Sequence, residues 1–169
     1  TLDTIYWMAE MGDTKRVSKM VSSLSNMMRY TVSVNPSNTV TLHAELNYLK
    51  SYINIQKIRY MDSINFNIDV SPGLEDCQIL KMILQPLVEN AIIHGITPLG
   101  KGYISVLIYL YENKLIYEVK NNGTDLNIEK IQKALCSSSD EAHGIALRNI
   151  EKRIKLKYGD EYGLFFRVE

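Results

Sequence analysis

The chain is 169 residues long, which allows one domain, or one domain with an appendage. Its 46% hydrophobic and 22% charged residues are ordinary for a globular protein, and a formal net charge of +0 excludes the basic surplus of a nucleic-acid surface. No apolar run approaches the ~18 residues of a membrane span, and no signal-peptide pattern opens the chain. Cys77 and Cys136 lack metal-ligand spacing; they read as free thiols of a reducing compartment, with one disulfide left open.

Two helical pieces are expected from Thr1 to about Val32. Leu2, Ile5 and Ala9 start one apolar stripe, and Val17, Val21, Leu24 and Met28 form a second. Between them Gly12 is a stop, and Asp13 or Thr14 restarts the helix as N-cap. Asn35-Pro36-Ser37-Asn38 is a turn by composition. Thr41 then caps a helix to about Met61. Its Leu42, Leu46, Leu49, Ile53 and Tyr60 form a seam for another helix, within this chain or on a partner. His43, in the first turn, reads as a solvated surface histidine. Ile64 to Val70 alternates apolar and polar residues, the pattern of a half-buried strand.

From near Ile79, apolar residues at 80, 83, 84, 87, 88, 91 and 92 give one buried face of a helix, which Gly95 ends. Pro86 cannot donate to the Met82 carbonyl, so a local kink is expected. Asn90 and His94 lie about 40° apart on the helical wheel and border the apolar stripe. A buried-edge amide must find a partner. The pair suits ligand contact, and it suits equally a core helix with satisfied polar groups.

Tyr103 to Tyr111 and Leu115 to Val119 read as two strands joined through Glu112-Asn113-Lys114. Ile104, Val106, Ile108 and Leu110 share one face; Tyr103, Tyr109 and Tyr111 take the other, partly wet one. Lys120-Asn121-Asn122-Gly123-Thr124-Asp125 contains the Asn-Gly signature of a turn. The polar stretch 126–141, with a short helical piece near Ile128 to Leu135, suggests a mobile loop. His143 to Asn149 opens a helix that runs to about Tyr158. A glycine-led start at Gly144 is a natural phosphate cradle, while Arg148, Lys152, Arg153, Lys155 and Lys157 read as a solvated face. Gly159 caps this helix, and Gly163 to Val168 reads as a strand.

The run Gln85-Pro86-Leu87-Val88-Glu89-Asn90-Ala91, with His94 and Gly95, resembles the N-box of GHKL nucleotide-binding domains. The form is that of sensor histidine kinases of the LytS/YesM type, in which the box reads Gln-Pro-Leu-Val-Glu-Asn-Ala-x-x-His-Gly. Every one of those letters is present. Asn121 and Gly123 stand where the family's G1 box, Asp-x-Gly-x-Gly, has its Asp and first Gly, and Asp125 replaces the second Gly. Gly144, Leu147 and Asn149 match the G2 box, Gly-x-Gly-Leu-x-Asn, with Ala146 at the second Gly. Box order and spacing match across nearly the whole chain.

The resemblance implies an α/β fold, a two-layer sandwich of the Bergerat type with a mixed sheet under helices, preceded by helical bundle segments. Residues 1–62 would be the end of the dimerisation and phosphotransfer helices, and 63–169 the ATP-binding domain, which in the family continues into a glycine-rich turn and a last strand. The implied activity is that of the ATP-binding catalytic portion of a two-component kinase, a transferase. Its γ-phosphoryl group would pass to a histidine upstream of Thr1, in a His-Phe-Leu-Tyr-Asn-type box that Thr1-Leu2-Asp3-Thr4-Ile5 continues. ATP and Mg²⁺ are the implied cofactors. Asn90 would hold Mg²⁺, with Glu89, His94 and Gly95 beside it near the phosphates. Asn121 and Gly123 would approach adenine, and Gly144 and Leu147 would lie under a lid formed by 126–141. No residue of the chain takes a catalytic role. The implied partners are a response regulator and a second copy joined through the N-terminal helices, with no nucleic acid. This portion would be cytoplasmic, in a membrane-anchored parent.

The altered G1 box supports a second reading, a kinase-like signalling and dimerisation module with little or no nucleotide binding. Asn121 lacks the charge that strengthens a hydrogen bond to the adenine amine, and Asp125 would repel a triphosphate. A gyrase- or chaperone-type ATPase fits less well. Those enzymes place a water-activating Glu one turn before the Asn, where this chain has Pro86, and Glu89 lies about 100° from Asn90 on the wheel.

Overall fold

The computed structural model describes residues 1–33, 38–123 and 142–167, with the backbone alone for 142–144. The expected lid with its short helix, Asp125 and Cys136 therefore lie outside the described residues, as does most of the Asn35–Asn38 turn.

Helix α1 (Leu2–Glu10) ends at Gly12, whose φ of +74° suits a residue without a side chain. Helix α2 (Thr14–Val32) restarts at once because Asp13 caps it, accepting from the Arg16 amide at 3.1 Å. The inward face of α2 differs from the expected stripe. Met20, Ser23, Leu24 and Met27 turn toward the next helix, whereas Val21 and Met28 are 50% and 61% exposed. Tyr30 lies on the same face as Met20, Ser23 and Met27, and its buried hydroxyl bond, described below, fixes that rotation.

Strand β1 (Thr39–Thr41) leads into helix α3 (Leu42–Arg59), capped by the Thr41 hydroxyl, which accepts from the Ala44 amide at 3.2 Å. This helix is central rather than amphipathic. Met20 packs on its Ile55 and Ile58 from one side. On another side Leu42, Leu46, Leu49 and Ile53 share one apolar cluster with Ile64, Val88, Ile92 and Ile104. The seam expected on this helix is thus filled within the chain.

Strands β2 (Ile64–Val70), β4 (Gly102–Tyr111) and β5 (Lys114–Asn121) form a mixed sheet in the order β2-β4-β5. β2 runs parallel to β4, with Ile64 opposite Gly102, and β5 runs antiparallel, with Ile104 opposite Asn121. The hairpin closes on Glu112 and Asn113, both at positive φ (+48° and +62°), the backbone of a two-residue type I′ turn. Ile104, Val106 and Ile108 are buried as expected, but Leu110 is 53% exposed, near the hairpin end of the strand. Tyr103 and Tyr111 stay on the wet side. Strand β3 (Gln78–Leu80) pairs antiparallel with β1 in a separate ladder that periodicity did not announce.

Helix α4 (Leu84–Asn90) and the turns after it lie over the sheet, and helix α5 (Ala142–Tyr158) packs on α4. Gly159, at φ +110°, ends α5. The stretch from Gly163 to Arg167 is not a strand, contrary to expectation. Its Leu164 amide is drawn to the Glu151 carboxylate on α5, and Arg167 pairs with Glu118 of β5. The fold is α/β, with helices over one face of a mixed sheet. Among the described residues no helix is long and apolar enough to cross a membrane.

Candidate functional site

The N-box helix is shorter at its start and longer at its end than its apolar pattern suggests. Residues 78–80 belong to β3, and Met82 adopts a left-handed φ of +59°, so α4 begins only at Leu84. Pro86 consequently falls in the first turn, where its missing N–H costs no intrahelical bond, and the expected kink has no cause.

Past Asn90 the backbone widens into a π-helix (Ala91–Ile96) and then tightens into a 3₁₀ turn (Thr97–Leu99). The Ile92 carbonyl is satisfied twice by Thr97, through its backbone N–H and through its hydroxyl at 2.9 Å. Wide turns of this kind are rare and concentrate at functional sites. Gly100, at φ +74°, closes the segment; Gly95 does not.

Gly95 instead serves close approach. It is buried, and a Cβ built on it would lie 2.7 Å from Cγ of Asn121 and closer still to its Oδ1. A Cβ on Gly123 would in turn strike the Gly95 backbone. The end of β5 and the residues after it therefore lie against the N-box turn, Asn121 by its side chain and Gly123 by its backbone. The structure brings Gly95 together with Asn121 and Gly123, 26 and 28 residues later in sequence. Asn121 is the last residue of β5, and its Oδ1 accepts from the Gly123 amide at 2.9 Å. The neighbouring Asn122 Oδ1 accepts from the Tyr103 amide at 2.7 Å, tying the loop start to β4.

Asn90 is half-buried at the end of α4. Among the described residues its amide has no hydrogen-bond partner, so its oxygen is available to a ligand. His94 is exposed on the π-helical turn that follows. Glu89 is half-buried, and its charge reaches α3: burial first, then Glu89, pushes the Tyr52 phenol above its ordinary range. Gly144 lies in the first turn of α5. Leu147, further along, is buried. Arg153, expected on a solvated face, is half-buried and donates to the Lys81 carbonyl. Among the described residues no group of three His, Cys, Asp or Glu is placed to hold a metal ion. A hard cation beside Asn90 would find one amide oxygen there and would need most of its oxygen ligands from outside the described residues.

Glu45 received no role from the sequence. It is fully buried on α3. Its carboxylate accepts from the amides of Met82 at 2.9 Å, Ile83 at 2.9 Å and Leu84 at 3.1 Å, and from the Tyr30 hydroxyl. It is the anion that fills the free amides at the start of α4. The available signal was its position, flanked by Leu42, Leu46 and Leu49 in the apolar sector of α3. His43, by contrast, is exposed as expected, with Asn47 Nδ2 at 2.9 Å from its Nε2.

Residues 1–64 match the family described as Histidine kinase. Sensor histidine kinase YesM of Bacillus subtilis is 31% identical over 170 residues, covering 100% of this chain and 28% of that protein. An uncharacterized sensor-like histidine kinase of Staphylococcus epidermidis is 34% identical over 94% of this chain and 31% of its own length. Sensor histidine kinase YpdA of Escherichia coli is 32% identical over 92% of this chain and 26% of its own. The chain belongs to the sensor histidine kinases of the YesM type. It spans less than a third of the length of these relatives.

Proposed function

We propose that the chain is the ATP-binding catalytic portion of a two-component sensor histidine kinase, serving a histidine upstream of Thr1. The observation that carries this reading is the junction of the complete N-box with the end of β5, where the Asn121 side chain and the Gly123 backbone both lie against Gly95 too closely for either glycine to carry a side chain. In this reading Asn90 ligates Mg²⁺, and His94 and Gly95 line the phosphate side. Glu89 borders the site toward α3. Asn121 and Gly123 approach the base, and Gly144 and Leu147 lie at the α5 side. The protein's part in phosphoryl transfer is positioning and charge neutralisation rather than covalent chemistry. Residues 1–62 act as the end of the dimerisation and phosphotransfer helices and 63–169 as the nucleotide-binding domain. A response regulator receives the phosphoryl group, and the assembly is cytoplasmic.

One observation favours the alternative, a signalling module with weak nucleotide binding. The Asn121 oxygen already accepts from Gly123, and an amide offers no second carboxylate oxygen to adenine. A fluorescent ATP analogue separates the two readings. Saturable binding that chelation of Mg²⁺ abolishes, and that Asn90→Ala lacks, supports the kinase reading. The absence of any saturable binding supports the module.

A further inference from the structure

We propose that Glu45 is a positioning residue for the nucleotide helix, and that Tyr30 is the group through which α2 acts on it. The functional half of this inference rests on the nucleotide-binding reading above; the structural half does not.

Oε1 of Glu45 accepts from Ile83 and Leu84, and Oε2 accepts from Met82 and Tyr30. All four partners are donors, so the site is specific for a carboxylate. A glutamine of the same shape would turn an NH₂ group toward two of them. The left-handed backbone at Met82 aims three consecutive amides at one point, and an uncompensated nest of buried amides would not hold there.

The same few residues collect three helices. Lys81 Nζ donates to the Thr31 carbonyl at 3.1 Å and the Ser33 carbonyl at 2.7 Å, at the end of α2, and lies 5.0 Å from the Tyr30 ring centre. Tyr30 stacks on Tyr48 at 4.5 Å, and the Tyr48 hydroxyl donates to Gln85 in the first turn of α4. Arg153 brings α5 onto the Lys81 carbonyl. From Leu84 to Asn90 the helix rises only about 9 Å, so a tilt or shift at its start is carried directly to Asn90. Displacements near 1 Å at a reacting centre can change rates about a hundredfold. A change in α2 that pulls on Tyr30 or on the carbonyls held by Lys81 therefore moves the proposed Mg²⁺ ligand without touching the nucleotide.

The test compares the wild-type chain with Glu45→Gln and Tyr30→Phe, at a temperature where each is folded. Two readouts are taken: hydrogen exchange by segment, and affinity for Mg²⁺ with a non-hydrolysable ATP analogue. Glu45→Gln is expected to speed exchange selectively over residues 83–95, with strand 104–108 unchanged, and to weaken binding about tenfold or more. Tyr30→Phe keeps the acceptor for all three amides and is expected to shift both readouts in the same direction by a smaller factor. Uniformly faster exchange across the molecule, or unchanged exchange over 83–95, would show Glu45 to be only a general stabiliser and overturn the proposal. If Glu45→Gln does not fold, Tyr30→Phe decides by the same segmental criterion. If the wild type binds no nucleotide while the segmental pattern holds, the kinase reading fails and the positioning role of Glu45 stands. If the wild type binds and Glu45→Gln binds equally well, the positioning role fails and the kinase reading stands.

Discussion

Gly95 in the N-box turn and Asn121 at the end of β5 approach so closely that the glycine has no room for a side chain. Gly95→Ala is expected to cost about 1–3 kcal/mol, the usual cost of overpacking a tight contact, and to push residues 121–123 away from the helix. Denaturant titration measures the first effect. Destabilisation below about 0.5 kcal/mol, the ordinary scatter of surface substitutions, would mean that the two segments do not meet this tightly.

In the proposed reading Asn121 is also the position at which nucleotide affinity would be raised. An aspartate there would keep the Gly123 amide with one oxygen and offer the other, charged, to the adenine amine. Asn121→Asp combined with Asp125→Gly restores the family's G1 letters; Asp125 itself lies outside the described residues. One charge-assisted hydrogen bond is worth roughly 1.5–3 kcal/mol, so binding is expected to tighten about tenfold to hundredfold. Weaker binding with an intact fold would show that residues 121–125 do not face the base.

The exposed side of α2 carries Val21, Met28 and Val32, flanking a shallow groove with Leu24, Ser25 and Arg29. Apolar residues at this spacing on a helix surface suit a second helix. The chain is expected to form a dimer through this face. Val21→Glu with Met28→Glu should give a monomer by sedimentation, with the far-ultraviolet spectrum unchanged. A dimer that survives the double substitution would move the interface elsewhere.

Stability is expected to fall at alkaline pH for a specific reason. Burial first, then the hydrogen bond to Glu45, pushes the Tyr30 phenol up from its ordinary value of 10.0. Burial does the same to Tyr52 and Tyr117. The native chain thus keeps protons that the unfolded chain releases above about pH 10. The stabilisation is complete below that pH and is lost as pH rises through and beyond it. Each such group steepens the fall by up to about 1.4 kcal/mol per pH unit. Tyr30→Phe is expected to flatten the curve of unfolding free energy against pH above 10; an unchanged slope would show that Tyr30 ionises freely.

Much of this fold was legible in the residues. The Gly12–Asp13 break, the Thr41 cap, the alternation of Ile64 to Val70 and the hairpin of β4 and β5 all follow from local chemistry. The start of α4 was not, because the apolar run from Ile79 to Leu84 serves a strand as well as a helix. What divides the run is Met82 in a left-handed conformation, held by a carboxylate 37 residues earlier. The face of α2 was misread for a related reason: the stripe of Val17, Val21, Leu24 and Met28 left out Met20 and Met27, and the polar anchor Tyr30 turns their side inward. The complete N-box drew attention to Gly95, whereas the approach of Asn121 to it is a tertiary fact that spacing along the chain does not encode.

The three histidines are expected to remain unmodified when the chain meets Mg-ATP alone. His43 is exposed at the start of α3 beside Asn47, and His94 belongs to the N-box turn; the side chain of His143 lies outside the described residues. Transfer needs donor and acceptor held in line at close range. Acid-labile label on any of the three would overturn the assignment of the acceptor to an upstream residue.

The most direct measurement is a calorimetric titration of the chain with a non-hydrolysable ATP analogue, with and without Mg²⁺, repeated on Asn90→Ala. The kinase reading predicts one saturable site per chain in the presence of Mg²⁺, with the metal-dependent part of the affinity lost in Asn90→Ala. No saturable heat in the wild type, or an affinity that neither Mg²⁺ nor Asn90→Ala changes, would contradict it.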